Sequence, residues 1–301
     1  MEKKYYRLSF FIDKVFRLVM IACILFVLYL LLGVTTFATF KVPTDSMKPA
    51  LLPEDCILVN KWVMGGRIFD VWDALEGKEV EITRLPGVGK VERNDVLVFN
   101  FPYPERWDSI SLDVMKYYVK RCVALPGDTF EIRDARYYVR GYDGGLGNIR
   151  QQDCLCLQLN GIADDHSARE RGICFNAYPF NDIVNWNIVE FGPFFIPAKG
   201  AEVLMTPLNK VLYRNAIEWE QKKPLTLKGD TVLLGDSVIR KYSFRQDYYF
   251  VAGDLAINSQ DSRYWGLLPE PFIVGKAVRI WKSVDKRTDR VRWNRIFKKI
   301  E

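Results

Sequence analysis

The chain is almost without histidine: His166 is the only one among 301 residues. A Ser-His-Asp triad needs an imidazole, and this one stands beside Asp164 and Asp165 in a Gly- and Asp-rich stretch. Any catalytic serine must therefore take its base from another residue type. Cysteine is also sparse, with six. Cys23 falls in an apolar run, and Cys56 and Cys122 lie in strand-like apolar segments, as small buried hydrophobes do. A zinc site built on Cys154, Cys156 and Cys174 is disfavoured, because Cys-x-Cys is an awkward chelating pair and His166 is not at a finger spacing. A disulfide from Cys174 to Cys154, or alternatively to Cys156, stays open. No basic stripe with interleaved aromatics runs through the middle of the chain, which argues against nucleic acid as a partner. A second long apolar run is missing too.

The first such run is present. Residues 18–40 carry no charge, and at ~1.5 Å rise per residue they are long enough to cross a ~30 Å hydrocarbon core. Lys3, Lys4, Arg7, Lys14 and Arg17 precede the run against Glu2 and Asp13. The positive-inside rule puts that end in the cytoplasm and everything after Lys41 outside. The run is too long for an ordinary signal peptide and reads as a single uncleaved anchor. The net charge of +6 comes largely from the two ends, as suits an anionic membrane surface. Thr44-Asp45-Ser46-Met47-Lys48-Pro49 follows the run at once, so Ser46 would stand a few residues outside the bilayer.

Beyond the anchor the pattern is mainly β. Short runs rich in β-branched and aromatic residues recur between turn signals, among them 56–59, 95–101, 117–125, 231–234, 248–252 and 272–281. The texture changes over 134–246, where Gly141, Gly144, Gly145, Gly147 and the cysteine cluster suggest an inserted, smaller β-rich domain. The expected organisation is a basic N-terminus (1–17), an anchor (18–40), two halves of an antiparallel β core (41–133 and 247–285) around that insertion, and a basic tail (286–301). A short helix is expected at 216–223. The tail, with Val291, Trp293, Ile296 and Phe297 among its charges, reads as a surface-lying amphipathic segment or a solvated helix.

With histidine set aside, lysine is the remaining base for Ser46. At its reference pKa of ~10.4 almost none is neutral near pH 7, so the lysine must be one that burial has weakened as a base. Lys120 fits, lying between Tyr117-Tyr118-Val119 and Cys122-Val123. Strand alternation puts Tyr118, Lys120 and Cys122 on one face and Arg121 on the other. A third segment, 253–266, gathers small, polar and charged groups, Ser259, Asp261 and Arg263 among them.

Taken together these segments resemble one family, the bacterial type I signal peptidases, membrane-bound Ser-Lys proteases. The resemblance is carried by Val42-Pro43-Thr44-Asp45-Ser46-Met47-Lys48-Pro49-Ala50-Leu51, by Asp95-Val96-Leu97-Val98-Phe99, by 118–128 around Lys120 and ending in Leu125-Pro126-Gly127-Asp128, and by Gly253-Asp254 with 258–266. Asp45 stands where many relatives have glycine, Ala50 where threonine is common, and Leu255-Ala256-Ile257 is less polar than usual. The resemblance implies Ser46 as nucleophile and Lys120 as general base. It implies Ser259 orienting the lysine, and Thr44 with the Ser46 N–H as oxyanion hole. Asp261 and Arg263 would form a bracing ion pair, and Phe40, Val42, Met47 and Val119 would line pockets for small side chains. No metal or organic cofactor is implied. The partners would be exported preproteins and the lipid bilayer, at the outer face of the bacterial cytoplasmic membrane. Two other readings of the same scaffold are a specialised peptidase with few clients and a catalytically silent, membrane-anchored binding protein.

Overall fold

The computed structural model describes residues 2–78, 80–162 and 164–301, with the side chains of all but 2–10, 30–32 and 34–35. A first helix, α1 (Glu2–Thr35), leads into strand β1 (Phe37–Lys41). The apolar run 18–40 is therefore not one helix. β-Branched Thr36 and Thr39 and aromatic Phe37 and Phe40 favour extended backbone, and β1 pairs antiparallel with β2 (Asp55–Asn60), Phe37 opposite Asn60 and Lys41 opposite Cys56. All described side chains of α1 from 11 to 29 are exposed, Phe11, Phe16, Leu18 and Tyr29 among them. Among the described residues no helix is long and apolar enough to cross a membrane. The described stretch 11–29 includes Asp13, Lys14 and Arg17, while part of the run 18–40 lies outside the described side chains.

After β2 an arm forms from β3 (Arg67–Ile68), the Asp70-capped helix α2 (Val71–Leu75) and β4 (Thr83–Arg84). Then come β5 (Val96–Asn100), β6 (Tyr117–Ala124), β7 (Thr129–Arg133) and β8 (Arg136–Val139). The stretch to residue 246 holds α3 (Ile149–Leu159), α4 (Asp165–Glu170), β9 (Phe191–Phe195), β10 (Glu202–Leu204), α5 (Pro207–Gln221), β11 (Leu225–Lys228), β12 (Thr231–Leu234), β13 (Ser237–Val238) and β14 (Lys241–Ser243). The chain returns through β15 (Tyr248–Ala252), α6 (Ser262–Trp265), β16 (Leu268–Pro269), β17 (Ile273–Asp285) and β18 (Arg290–Val291).

The main sheet runs β1-β2-β17-β5-β6-β15-β16, antiparallel at every pairing, with β18 on the end of β17. Both its faces are buried, which is why β5 reads as a continuous apolar run. Val96 and Val98 join Val42, Met47, Ile57, Val59 and Ile280 on one side. Leu97 and Phe99 join Phe101, Cys122, Val251 and Trp265 on the other. Register shifts in β17 opposite both β2 and β5 mark bulges, which bend a strand and increase its twist. The sheet curls far enough for the rings of Phe40 on β1 and Tyr117 on β6 to touch, at 4.8 Å between centroids.

The segment 134–246 shares a core with the sheet it interrupts. One buried cluster runs from Val123 and Phe130 through Phe194, Tyr213 and Ile217 to Phe250 and Ala252. It carries three helices as well as strands. The helix expected at 216–223 begins at Pro207, because the Thr206 hydroxyl accepts from Asn209 N–H and proline suits the first turn. All six cysteines are free. Cys154 and Cys156 sit two apart on α3, where such residues do not share a face, and the Cys174 thiol contacts the Asn176 carbonyl instead.

The tail is not a solvated helix, and it leaves Val291, Trp293 and Phe297 at the surface. It folds back along β17, with Phe297 N–H bonded to Ile280 O, Ile280 N–H to Lys298 O, and Ile300 N–H to Val278 O. Arg295 reaches the fully buried Asp55 carboxylate at 2.6 Å, and Ser283 donates to the same group at 2.6 Å. An unpaired buried carboxylate is costly, so this partnership decides where the tail goes.

Candidate active site

Ser46 lies in the turn that leaves β1. Val42 N–H is held by Asp55 O, Lys48 N–H by Asp45 O, and Leu51 N–H by Met47 O. Met47 and Leu51 are buried beneath the turn and fix it to the core. Lys120 comes from β6, where it pairs with Leu97 while Val119 pairs with Val98. Paired residues share a face, so Lys120 points with Tyr118 and Cys122. Its Nζ lies 2.6 Å from Ser46 Oγ, with both side chains buried. Burial brings the lysine pKa down from 10.5 to about 8. The Asp261 charge acts against that shift, the Arg263 charge adds to it, and Asp254 opposes it more weakly.

The third wall of the site is the loop from β15 to α6. Leu255 N–H donates to Ser46 O at 2.9 Å, so this loop holds the serine's own carbonyl. Gly253 makes the approach possible: a Cβ there would stand 2.7 Å from Ser46 O and overlap the Ser259 side chain. Two buried ion pairs brace the loop. Arg121, on the β6 face opposite Lys120, grips Asp254 in bidentate fashion at 2.6 and 2.8 Å. Asp261 and Arg263, both fully buried, pair at 2.8 and 2.9 Å, and Arg263 also donates to Ala256 O. Burial, the largest single influence, pushes the Asp261 carboxyl up, but the Arg263 charge and hydrogen bonds, the Gly253 N–H and the nearby Ser259 hydroxyl together hold the group below its ordinary value.

Ser259 does not meet the expectation placed on it. Among the described residues its buried hydroxyl makes no hydrogen bond of ordinary length, to Lys120 or to any other group. It lies only near enough to Asp261 to favour the ionised carboxylate. Gly253 crowds one side of it. Thr44 Oγ1 stands 3.4 Å from Ser46 Oγ, at the mouth of the same turn.

Phe40, Val42, Thr44, Met47 and Val119 line one open cavity with Ser46 and Lys120, of about 610 Å³. Met115, Tyr117, Tyr118, Asn258 and Gln260 line it too, none of them marked for the site by the sequence motifs. Period 2 along β6 from Val119 points to Tyr117. Asn258 holds Asp45 at 3.1 Å, a tie between distant segments that no local pattern signals. His166 is exposed on α4, outside this cavity. Among the described residues no cluster of His, Cys, Asp or Glu is suited to a metal ion.

A serine hydroxyl in contact with a weakened, buried amine, at the base of a cleft open to a chain, is the arrangement of a serine peptidase that works without histidine. Comparison with known proteins agrees. The family model described as "Signal peptidase, peptidase S26" matches residues 14–153 and 205–282. Signal peptidase I of Buchnera aphidicola subsp. Baizongia pistaciae is 27% identical over 252 residues, covering 82% of this chain and 70% of that one. Signal peptidase I of Pseudomonas aeruginosa is 27% identical over 270 residues, covering 85% and 69%. A solved signal peptidase I from Enterococcus faecalis V583 aligns over 63% of this chain and 98% of its own, at 19% identity and a TM-score of 0.26. The chain belongs to the signal peptidase family, peptidase S26, serine endopeptidases that remove signal peptides.

Proposed function

We propose that Ser46 and Lys120 carry that reaction here, on exported preproteins, from a single-pass anchor in a bacterial cytoplasmic membrane. The observation that carries the reading is the 2.6 Å contact between Lys120 Nζ and Ser46 Oγ, made by an amine whose pKa burial has lowered to about 8. Neutral Lys120 takes the Ser46 proton as the oxygen attacks the scissile carbonyl. The same proton goes to the leaving amine, and a water activated by Lys120 releases the acyl group from Ser46. Ser46 N–H and the Thr44 hydroxyl hold the developing oxyanion in this reading, supported by the 3.4 Å between Thr44 Oγ1 and Ser46 Oγ, and losing one such donor typically costs ~10²–10³ in rate. Asp261 and Arg263 keep the loop rigid, and Phe40, Val42, Met47 and Val119 offer shallow apolar walls to small side chains. Ser259, without a bond to Lys120, contributes packing under the site in this arrangement.

The exposed, uncharged side chains of 18–29 on α1 support the anchor, since none of the described residues covers them. Lys14 and Arg17 on the preceding turns support a cytoplasmic N-terminus. A catalytically silent binding protein would have no use for a lysine so weakened beside a serine.

The test is cleavage of a purified preprotein by the detergent-solubilised chain, beside Ser46→Ala and Lys120→Ala. Cutting after the signal peptide by the native chain alone upholds the reading. A silent native chain, or a Lys120→Ala variant that still cuts, sinks it.

A further inference from the structure

We infer that the segment 134–246 positions the catalytic loop, and that Tyr264 is the positioning residue it holds to do so. This rests on Ser46 and Lys120 as the reacting pair. α6 is a single helical turn, and a turn so short has no stability of its own, so its surroundings decide where it sits. All four of its residues are buried. The main sheet holds two of them: Ser262 Oγ accepts from Val251 N–H at 3.0 Å, and Trp265 packs with Phe99 and Phe101. The segment 134–246 holds the other two. Tyr178 N–H donates to Arg263 O at 2.7 Å, and the Tyr264 hydroxyl donates to Cys174 O at 3.0 Å.

The holding side is itself fixed. Ile173, Phe175, Ala177 and Tyr178 belong to the buried cluster that this segment shares with the sheet. The Tyr178 hydroxyl donates to Leu212 O on α5 at 2.6 Å. Gly266, at φ +87°, lets the end of α6 lie directly on the Tyr178 ring, where an added Cβ would stand 2.8 Å from it. A main-chain amide and a side-chain hydroxyl thus tie one turn to a wall outside the sheet.

Tyr264 does not reach the cavity around Ser46 and Lys120, so its effect on cleavage passes through the loop. The route is short. Asp261, which caps α6, accepts from Gly253 N–H at 2.9 Å, and two residues further on Leu255 N–H holds Ser46 O. Lys120 is faced by Ser46 Oγ from the turn after β1 and by the Tyr118 ring from its own strand. Asp254, Asp261 and Arg263 face it from the loop that Tyr264 secures. Letting α6 rock therefore loosens the hold on Ser46 and admits water to the amine, which then keeps its proton to higher pH.

The test compares the full chain in detergent with two matched variants, each losing one tyrosine hydroxyl that bonds a backbone carbonyl. Tyr264→Phe removes the bond to Cys174 O. Tyr213→Phe removes one from α5 to Phe195 O, at 3.0 Å, elsewhere in the segment. Both should melt within a few degrees of the native chain, since one such bond contributes little. With a purified preprotein, Tyr264→Phe should lower kcat about tenfold and leave KM nearly unchanged, as a small misplacement of reacting groups does. The rise of its pH profile should also move to higher pH, and Tyr213→Phe should change neither. Hydrogen exchange of the amides of 253–266, followed by mass spectrometry, reads the tether without any cleavage and should quicken in Tyr264→Phe alone. A native kcat and pH profile in Tyr264→Phe, loss of its cooperative melting, equal effects of the two variants, or unchanged exchange overturns the inference. A native chain that does not cut, or a Lys120→Ala chain that does, sinks the Ser46–Lys120 reading. The hold of the segment on the loop still stands in that case if exchange quickens in Tyr264→Phe alone.

Discussion

Methionine at position 120 keeps the length and apolar stem of the lysine and removes its amine. Charging that amine is where the fold loses stability. Its pKa falls from 10.5 to about 8 because burial strips its water. At ~1.36 kcal/mol per pH unit, the ammonium is about 3 kcal/mol less favourable in the fold than in the unfolded chain. Between pH 8 and 10.5 the unfolded chain binds the extra proton, so native stability rises with pH across that window, and below pH 8 the full penalty is present. Lys120→Met escapes the penalty and gives up the contact with Ser46, which is worth about 1 kcal/mol. The expected gain near pH 6.5 is therefore about 2 kcal/mol, or ~4–8 °C in melting temperature for a domain of this size. It should shrink steadily towards pH 10.5. Melting the native and Lys120→Met chains in detergent at several pH values measures it. Cleavage by the native chain, followed in parallel, should rise about tenfold per pH unit until pH 8 and then level off. A variant no more stable than the native chain at pH 6.5, a gain that does not change with pH, or cleavage that is flat from pH 6 to 9 would refute the reasoning.

Arg263→Met leaves the Asp261 carboxylate buried without its partner and should cost about 3–5 kcal/mol, read by denaturant unfolding. Replacing both members by apolar residues should cost less than replacing the arginine alone. Gly253→Ala forces a methyl against Ser46 O and Ser259; cleavage should drop at least ~10²-fold while the melting temperature falls by only a few degrees, since the displaced groups form the site and overpacking costs ~1–3 kcal/mol. With all six cysteines free, a reductant should change neither melting nor cleavage, and maleimide should label exposed Cys154 and Cys174 without prior reduction.

Much of the scaffold is legible because its information is local. Alternation along 117–125 puts Lys120 on the side of Cys122, and the register of β6 against β5 does the same. The end of α1 is legible too, in the β-branched and aromatic residues from Thr36 to Phe40, but uniform apolarity over 18–40 hides the change from helix to strand. A Thr206-Pro207 helix start was present in the sequence ahead of the helix expected at 216–223. The tail misleads for a different reason. Its spacing of Val291, Trp293, Ile296 and Phe297 suits an amphipathic segment, yet its path is set by Arg295 meeting Asp55, a residue 240 positions away.

The site divides along the same line. Residue types and motif order bring Ser46, Lys120, Asp261 and Arg263 into view, since each is chosen for chemistry that its neighbours in sequence advertise. What joins them is not local. Leu255 holds Ser46 by its backbone N–H, a bond any residue but proline could make, so nothing in the identity of Leu255 signals it. Arg121 looks like a surface charge on a strand until Asp254 is placed 2.6 Å from it. Ser259 shows the limit from the other side: its residue type and position suit a bond to Lys120, but a hydroxyl's partner depends on where a whole loop settles. Here Gly253 and two ion pairs settle it with that hydroxyl beside Asp261 and not bonded to Lys120. The loop's rigidity, more than any single hydrogen bond to the lysine, then keeps the amine at 2.6 Å from Ser46. Breaking Arg121–Asp254 should therefore disturb cleavage at a distance, although neither residue lines the cavity around the serine.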